Sequence, residues 1–456
     1  MFVEDSLIRN QAMTQLKVLI SGAGIAGNSL AFWLSRLGHD VLVIERFPDL
    51  RATGLQVDLR GHGIDVIKRM GLESELQAKL APEQGFEVVN SAGTRQGFFP
   101  ANKSSSTSSR PGVQNFTSDY EIMRGDLCRL LYDAAVKVGA RCEFSTSIDS
   151  FEDQADAVQV KFADGRTRRF DLIVGADGQS SSTRKKLFGS AVADAAYHPF
   201  KDTHMAYFTI PQPIQPGEDY IATMYIAPGR RGIMTRRHSP HEIQVYIGCS
   251  GAKSPRLEAA RRAGDVEEQK AAWGEMFKGA GWKSDEIMQA LVANESDNFY
   301  VEAPALVKLA SWSRGRVALV GDAAWCPTAT TGVGTTCGVV GAYVLASEIA
   351  KHFSLGGHPN VSTDPEEDSL RRALQAYEAK FQPYMAQVQK DVSVEDDSFW
   401  AGLASSAWGI YVFYWLVAIA SFLRLNVGRW MLKEEIKGWH LPDYEGMDVR
   451  RDGVGK

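Results

Sequence analysis

The stretch Lys17-Val18-Leu19-Ile20-Ser21-Gly22-Ala23-Gly24-Ile25-Ala26-Gly27 decides the fold of this chain. It joins a short apolar run, typical of a strand buried in a parallel sheet, to a GxGxxG turn. Apolar residues at helical spacing follow in 28–37, and Gly38 stands where that helix should end. A second buried strand is predicted at 41–44. The sequence therefore predicts a right-handed βαβ unit.

The glycines of this turn indicate a dinucleotide site. Gly22, Gly24 and Gly27 permit a tight turn, close approach of the backbone to a pyrophosphate, and close packing of helix on strand. The pyrophosphate would lie at the positive end of the helix. Glu45 stands at the end of the second strand, where an acid accepts hydrogen bonds from ribose hydroxyls and disfavours a 2′-phosphate. A chance Gly-rich turn is the alternative, and the flanking strand, helix and acid favour the binding site.

Two later turns narrow the ligand to FAD rather than NAD. Gly321-Asp322-Ala323-Ala324 follows the apolar run 317–320 and precedes Gly332-Val333-Gly334-Thr335-Thr336 at the start of a long predicted helix. Asp322 can meet a ribityl hydroxyl of a flavin, and the backbone at 332–336 can approach the flavin ring. Gly175-Ala176-Asp177-Gly178 also follows a predicted strand. A strand-to-helix turn capped by an Asp explains any one of these, but three in one chain favour a flavin.

Composition limits the class of protein. A chain of 456 residues with 44% hydrophobic and 23% charged residues is expected to fold into two or three domains. The net charge of −5 argues against a nucleic-acid partner, which needs a basic face. Five cysteines without CxxC spacing predict neither a disulfide framework nor a metal site. We expect a cytoplasmic protein, with residues 1–14 as an N-terminal extension that lacks the apolar core of a secretory signal.

The order of the three motifs resembles the single-component FAD-dependent aromatic-ring monooxygenases, which have the para-hydroxybenzoate hydroxylase fold. Within that group the chain looks most similar to the tetracycline-inactivating branch and its fungal secondary-metabolite relatives. The resemblance covers about residues 17–350. The segments that carry the closer likeness are Gly54-Leu55-Gln56-Val57-Asp58-Leu59-Arg60-Gly61, Arg124-Gly125-Asp126-Leu127 and 334–346.

The fold that the resemblance implies is α/β, with a Rossmann-type FAD-binding domain, an inserted antiparallel β-sheet substrate domain and a C-terminal helix. The FAD-binding domain is predicted at 15–78, 115–190 and 300–390, and the substrate domain at 79–114 and 191–299. The apolar helix is predicted within 391–440. The sheet domain would cover the flavin and supply the substrate pocket.

The resemblance also implies roles for individual residues. Asp58, Arg124 and Asp322 would contact FAD, Glu45 would bind its ribose, and Arg51 would lie where the nicotinamide cofactor docks. The alternative interpretation of Arg124 is a surface cation paired with Asp126, and that of Arg51 is a solvated loop charge. The full set of candidate cofactor-binding residues is Gly22, Gly24, Gly27, Glu45, Arg46, Arg51, Asp58, Arg124, Asp177, Asp322, Gly334 and Thr335.

The reaction implied is FAD-dependent monooxygenation. NADPH (or NADH) would reduce FAD, O₂ would react with the reduced flavin, and the resulting C4a-hydroperoxide would hydroxylate or epoxidise a small aromatic, polyketide or terpenoid-like molecule. Such enzymes tailor secondary metabolites or modify xenobiotics. We nominate no catalytic acid or base, because the flavin carries the chemistry. The alternatives are a flavin-dependent reductase or oxidase, and a non-catalytic flavin-binding membrane adaptor.

Three further features have two interpretations each. Arg230, Arg231, Arg236 and Arg237 flank a predicted turn at 228–229 and would form a solvated hairpin tip, or bind an anionic ligand. Cys326 and Cys337 are expected to pack rather than react. Ala401–Leu423 contains no charge and is long enough to span a bilayer, so it would bridge the domains or associate with a membrane. Cations that suit lipid headgroups follow it at Arg424, Arg429, Lys433 and Lys437.

Overall fold

The structure is a computed structural model that describes residues 15–452, apart from 52–53, 55, 102–119, 155, 252, 329–330, 354–368, 391, 393, 395–404, 424 and 426–437. The predicted N-terminal extension and the cations that follow residue 423 lie outside the described residues. So do residues 401–404 of the apolar segment.

The chain alternates short strands and helices. The described strands are β1 (Lys17–Ser21), β2 (Asp40–Ile44), β3 (Gln56–Asp58), β4 (Gly85–Val89), β5 (Arg95–Pro100), β6 (Glu121–Met123), β7 (Arg141–Glu143), β8 (Ile148–Asp153), β9 (Val158–Phe162), β10 (Thr167–Phe170), β11 (Leu172–Gly175), β12 (Tyr197–Pro199), β13 (His204–Pro211), β14 (Ile221–Ala227), β15 (Arg231–Arg236), β16 (Glu242–Cys249), β17 (Asp297–Glu302), β18 (Ala305–Val307), β19 (Ser313–Arg314) and β20 (Val317–Leu319). The described helices are α1 (Ile25–Arg36), α2 (His62–Arg69), α3 (Glu73–Gln77), α4 (Arg124–Lys137), α5 (Ser182–Phe188), α6 (Ser190–Ala195), α7 (Pro255–Ala263), α8 (Val266–Phe277), α9 (Ser284–Val292), α10 (Asp322–Trp325), α11 (Gly334–Phe353), α12 (Ser369–Val388), α13 (Ala407–Phe422) and α14 (Val449–Asp452).

A six-stranded sheet of order β19-β20-β11-β1-β2-β7 carries the Gly-rich turns. Its strands are parallel except for the edge pair β19–β20, and the register places Ile20 beside Val43 and Val174. Helices α1, α4 and α11 pack together beside this sheet, so its central strands are buried and their sequences are apolar without alternation. The predicted βαβ unit is confirmed. Because β2, β1, β11 and β20 are neighbours, the turns that follow them meet at one edge.

A seven-stranded sheet of order β17-β13-β16-β15-β14-β4-β5 forms the second layer. Its pairs are antiparallel except β4–β14, which is parallel because β4 enters the sheet from a distant part of the chain rather than through a hairpin. One face packs against α8 and α9 in a core that includes Phe208, Ile233 and Trp273. The alternate residues of the strands face the other way, toward the six-stranded sheet domain. The predicted fold class, a Rossmann-type domain with a mainly antiparallel sheet domain and a C-terminal helix, is confirmed.

The C-terminal helix α13 lies on the edge strand β5. Ser421 donates a hydrogen bond to the carbonyl oxygen of Phe98 at 3.0 Å and accepts one from its N–H at 3.0 Å, and Tyr414 donates to the carbonyl of Ile226 at 3.1 Å. The helix is 16 residues long. Within the described part of the chain, no helix has the length and apolarity needed to cross a membrane. The membrane-spanning interpretation of 401–423 is therefore not supported.

Residues 438–452 return to the FAD-binding domain. The indole N–H of Trp439 donates to the carbonyl of Lys380 at 2.9 Å, and its ring packs edge-on against Tyr384 at a centroid distance of 4.7 Å. The hydroxyl of Tyr444 donates to the buried carboxylate of Glu348. These contacts fix the end of the described chain on α11 and α12.

Candidate flavin site

The Gly-rich turn between β1 and α1 is closely packed at Gly22 and Gly27. A Cβ on Gly27 would lie 2.0 Å from the carbonyl oxygen of Gly22, and Gly22 itself has φ +113°. Gly24 differs, because a Cβ there would meet no atom within 4 Å. Gly24 is also the N-cap residue of α1 and provides no side-chain hydrogen bond to the helix. The start of α1 therefore faces open space with free backbone donors, which fits a pyrophosphate.

Glu45 lies against this turn. Its Oε2 accepts a hydrogen bond from the N–H of Ala23 at 3.0 Å, and its Oε1 accepts one from the N–H of Phe47 at 3.2 Å. The carboxylate is half-buried and keeps acceptor capacity beyond these two bonds. Its position beside the helix N-terminus fits an acid that binds the ribose of the nucleotide.

Asp322 begins α10 at the end of β20, after Gly321 with φ +65°. Its side chain is open to a recess, but protein atoms surround that recess closely. The resulting desolvation raises the pKa of the Asp322 carboxyl group, whereas the charge of Arg124 acts to lower it. A Cβ on Gly321 would lie 2.8 Å from the Cβ of Ala26, so the first and third motifs are in direct contact. This contact brings the two ends of a dinucleotide site together.

Arg51 and Glu302 join the same group of charges. Burial, and then repulsion by Arg124, lowers the pKa of Arg51. Burial, and then the charge of Asp322, raises the pKa of Glu302, with Arg124 and Arg51 acting in the opposite direction. Arg51 and Arg124 thus face the two acids Asp322 and Glu302. Glu302 comes from β17 of the seven-stranded sheet. No sequence pattern indicated Glu302.

Asp58 and the start of α11 lie together on the same side. Asp58 pairs with Arg60 at 2.8 Å, and the Arg60 N–H donates to the hydroxyl of Thr336 at 2.9 Å. Gly334 and Thr335 open α11, a helix of 20 residues. Backbone donors at this helix start are available to an electron-rich ligand edge. The predicted contacts of Asp58, Gly334 and Thr335 with FAD stay predictions.

Asp177 is used by its own turn. Its carboxylate accepts hydrogen bonds from the hydroxyls of Ser181, Ser182 and Thr183 and from the N–H of Thr183, at distances up to 3.3 Å. These bonds hold the start of α5 in place. The interpretation of Asp177 as a capping acid therefore has direct support, and its predicted role at the cofactor is not needed to explain its position.

Arg184 is a positioning residue that sequence reasoning missed. It is 1% exposed, and its guanidinium donates to the carbonyl oxygens of Ala323 at 2.9 Å and Gln179 at 2.7 Å. Burial lowers the pKa of this group. Arg184 ties the turn after β11 to the Asp322 turn. In the sequence, Arg184 stands in a polar and basic run, and such a run does not predict a buried side chain.

At Arg236 and Arg237 the basic hairpin differs from the solvated tip that one of its two interpretations gave. The turn at 228–229 lies between β14 and β15 as expected, but Arg237 is buried and the side chain of Arg236 is only 10% exposed. Arg236 pairs with Glu83 at 2.7 Å and with Glu121, and Arg237 pairs with Glu218 at 3.1 Å. Successive strand residues point to opposite faces, so the two cations serve different clusters. Neither is a solvated tip, and both are neutralised by protein acids.

Both flavin-side cysteines pack, as expected. Cys326 and Cys337 are buried, and burial raises the pKa of each thiol. Neither is therefore a nucleophile at neutral pH. Among the described residues, no group of three or more His, Cys, Asp or Glu side chains is arranged to hold a metal ion.

The chain was compared with known proteins. Residues 15–376 match the family described as FAD binding domain. The FAD-dependent monooxygenase asL4 of Sarocladium schorii is 49% identical over 435 residues, which cover 95% of this chain and 99% of that protein. The flavin-dependent monooxygenase eupH of a Phoma species is 37% identical, with 95% and 99% covered.

Solved structures agree with this assignment. The tetracycline destructase Tet(55) superposes with a TM-score of 0.71 at 26% identity and covers 94% of this chain and 99% of its own. The fold is shared by Klebsiella pneumoniae HpxO complexed with FAD and uric acid, with a TM-score of 0.65 at 17% identity, 91% of this chain and 96% of that one. The chain therefore belongs to the FAD binding domain family and is an FAD-dependent monooxygenase that draws its electrons from NAD(P)H.

Proposed function

We propose that the enzyme hydroxylates a small aromatic molecule of polyketide type in secondary-metabolite biosynthesis or xenobiotic modification. One observation carries this proposal: Tyr207, Tyr246 and Tyr300 form an aromatic face on the sheet, on the side of the Asp322 recess. Tyr207 stacks on Tyr300 with ring centroids 4.8 Å apart and meets Tyr246 edge-on at 5.6 Å. The names of the tetracycline destructases state that they act on tetracycline, a fused-ring molecule.

The direction of this face is supported by its partners. Tyr300 interacts electrostatically with Arg51, and the hydroxyl of Tyr246 accepts a hydrogen bond from the N–H of Gln56 at 3.2 Å. Both partners belong to the FAD-binding domain. Half-buried Met205, Met224 and Met234 alternate onto the same face of the sheet, and methionine adapts to irregular apolar ligands. An apolar, aromatic surface also keeps water away from the reaction.

A pair of adjacent residues tests the aromatic face. Tyr300 and Phe299 are both half-buried on β17, but Phe299 points toward the α8–α9 core. We expect Tyr300→Leu to raise the KM for an aromatic substrate about fivefold, and Phe299→Leu to leave that KM within a factor of two, since stacking contributes about 1 kcal/mol. Candidate substrates are screened by NADPH loss and by a product heavier by one oxygen atom. Equal KM values for the two variants would refute the assignment, and NADPH oxidation without O₂ uptake would favour a reductase.

FAD is assigned to the group of residues at the sheet edge. Gly22, Gly24, Gly27 and Glu45 would hold the adenosine diphosphate part, while Asp58, Arg124, Asp322 and the start of α11 would hold the ribityl chain and ring. Bound FAD supplies the redox chemistry, and these residues orient it. Asp322→Asn is expected to lower FAD retention during gel filtration, and Asp285→Asn on α9 to leave it unchanged. Full retention of FAD by the Asp322 variant would refute this placement.

NAD(P)H docking is assigned to Arg46, Phe47 and Arg51. The two guanidinium groups lie over the exposed Phe47 ring at 4.9 and 5.4 Å. An exposed ring flanked by two cations suits the stacked base and phosphates of a nicotinamide dinucleotide. Arg51→Ala should raise the KM for NADPH with little change in the KM for the substrate. An unchanged KM for NADPH would remove this residue from the proposal.

A reducing compartment, such as the cytoplasm, is proposed as the place of action. All five cysteines are free thiols in the structure, and four of them are buried. Membrane attachment through 401–423 is not proposed, because α13 is engaged on β5.

A further inference from the structure

A buried cluster of three carboxyl groups lies between the two domains and has no role in the description above. Asp58 on β3 and Glu121 on β6 are directly opposite each other in an antiparallel pair. Glu83, which precedes β4, reaches the same place. Like charges in directly opposite strand positions repel, so this arrangement needs a compensating interaction.

Two arginines compensate the cluster only in part. Arg236 donates to Glu83 from Nε at 2.8 Å and also pairs with Glu121, and Arg60 pairs with Asp58 at 2.8 Å. The side chains of Glu83 and Glu121 are 3% and 4% exposed, so water does not screen their charges. Three carboxylates thus face two guanidinium groups, and two of the three, Glu83 and Glu121, are desolvated. One proton makes the cluster neutral.

The arrangement of the three carboxyl groups indicates where this proton lies. Glu121 is opposite Asp58 in the strand pair, and it shares the guanidinium group of Arg236 with Glu83. Two carboxyl groups form a hydrogen bond only if one of them carries a proton. Glu83 Oε1 is buried and accepts no bond from any described donor. Burial raises the pKa of Glu121 well above its usual range, with Asp58 and Glu83 adding to the rise and Arg236 opposing it.

With FAD placed against Asp58 as proposed above, we infer that Glu83 and Glu121 store one shared proton and deliver it through Asp58 to the flavin site in each turnover. The balance of the reaction requires such a proton: NAD(P)H supplies a hydride, one oxygen atom enters the substrate, and the other leaves as water with the hydride-derived hydrogen and one proton from the medium. Asp58 is the outlet because its side chain is 20% exposed, against 3% and 4% for the other two. The same exposure lets solvent restore the proton. Tyr246 is a further titratable group beside the cluster.

The first test detects the proton itself. Infrared difference spectra of apoprotein at neutral pH should show the carbonyl band of a protonated carboxylic acid that is present in the wild type and absent in Glu121→Gln. Glu87→Gln is the control, since Glu87 is a largely buried carboxylate on the same sheet, 15% exposed, that pairs with Arg95 and not with Arg236. Loss of an identical band in both variants, or no loss in Glu121→Gln, would overturn the inference. If Glu121→Gln fails to fold, Glu83→Gln should shift the band.

The second test asks whether the proton is used. The FAD affinity of Glu121→Gln should be within twofold of that of the wild type. Its ratio of product formed to NADPH oxidised should be about tenfold lower, and this defect should grow as the pH rises. A purely structural role of Glu121 would lower FAD content and stability without changing the shape of the pH profile. An unchanged pH profile in a variant that has lost the infrared band would refute delivery while leaving the stored proton in place.

Discussion

The N–H of Ala23 donates a hydrogen bond of 3.0 Å to the carboxylate of Glu45. Ala23 belongs to the turn after β1, and Glu45 follows β2, so this bond closes the βαβ unit at the edge where its two strands end. It also orients the carboxylate before any ligand binds. An oriented acid loses little side-chain entropy when it accepts a ribose hydroxyl, which strengthens binding.

Replacing Glu45 should therefore weaken FAD binding specifically. We expect Glu45→Gln to raise the FAD dissociation constant about tenfold, since a hydrogen bond to a charged acceptor contributes roughly 1.5–3 kcal/mol. Flavin fluorescence on titration of apoprotein measures the constant. Glu152→Gln, at an exposed acid on β8, is the control and should bind like the wild type. Wild-type affinity in the Glu45 variant would exclude a ribose contact.

Two glycines of the same turn should respond differently to an added methyl group. Gly27→Ala places a Cβ 2.0 Å from the Gly22 carbonyl oxygen, so we expect loss of about 2–3 kcal/mol of apoprotein stability through overpacking. Gly24→Ala meets no protein atom and should leave apoprotein stability unchanged while lowering FAD affinity. Urea unfolding of apoprotein and flavin titration separate the two effects. Equal stability losses would show that Gly24 is also required by packing.

The sequence indicated the ends of individual strands better than the pairing between strands. Each Gly-rich turn followed an apolar run, and the rule that parallel strands end at one edge is enough to place the turns that carry Glu45 and Asp322 at the same edge of the sheet. Arg184, Glu121 and Glu302 were missed, because their roles depend on which distant strand or turn lies opposite. The pairing of Asp58 with Glu121 is such a case: local periodicity gives the period of a strand but not its partner. Burial of Arg236 was missed for the same reason.

The docking of α13 on β5 can be tested at Gly97. A Cβ there would lie 2.6 Å from Val417, so Gly97→Ala should lift the helix and lower stability by about 1–3 kcal/mol. Gly232→Ala on β15 has open space around the new methyl group and is the matched control. Thermal unfolding and limited proteolysis near α13 measure the effect. Similar melting temperatures for both variants would mean that α13 does not rest on β5 in solution.

His39 should make the apoprotein sensitive to acid. It is 8% exposed, its Nδ1 accepts a hydrogen bond from the Leu16 N–H at 3.3 Å, and burial lowers its pKa to about 4. The unfolded chain binds a proton near pH 6.5, whereas the folded protein does not until about pH 4. The stabilisation is therefore fully present above the unfolded pKa and is lost as the pH falls through this window, by up to about 3 kcal/mol.

This dependence is measured by urea unfolding of apoprotein between pH 7 and pH 4. His39→Asn keeps a side-chain acceptor but cannot bind a proton, so its unfolding free energy should fall less steeply with decreasing pH than that of the wild type. His241→Gln, at an exposed histidine, should retain the wild-type slope. Parallel curves for all three proteins would show that His39 is protonated equally easily in both states, and hence that it is not enclosed as the structure describes.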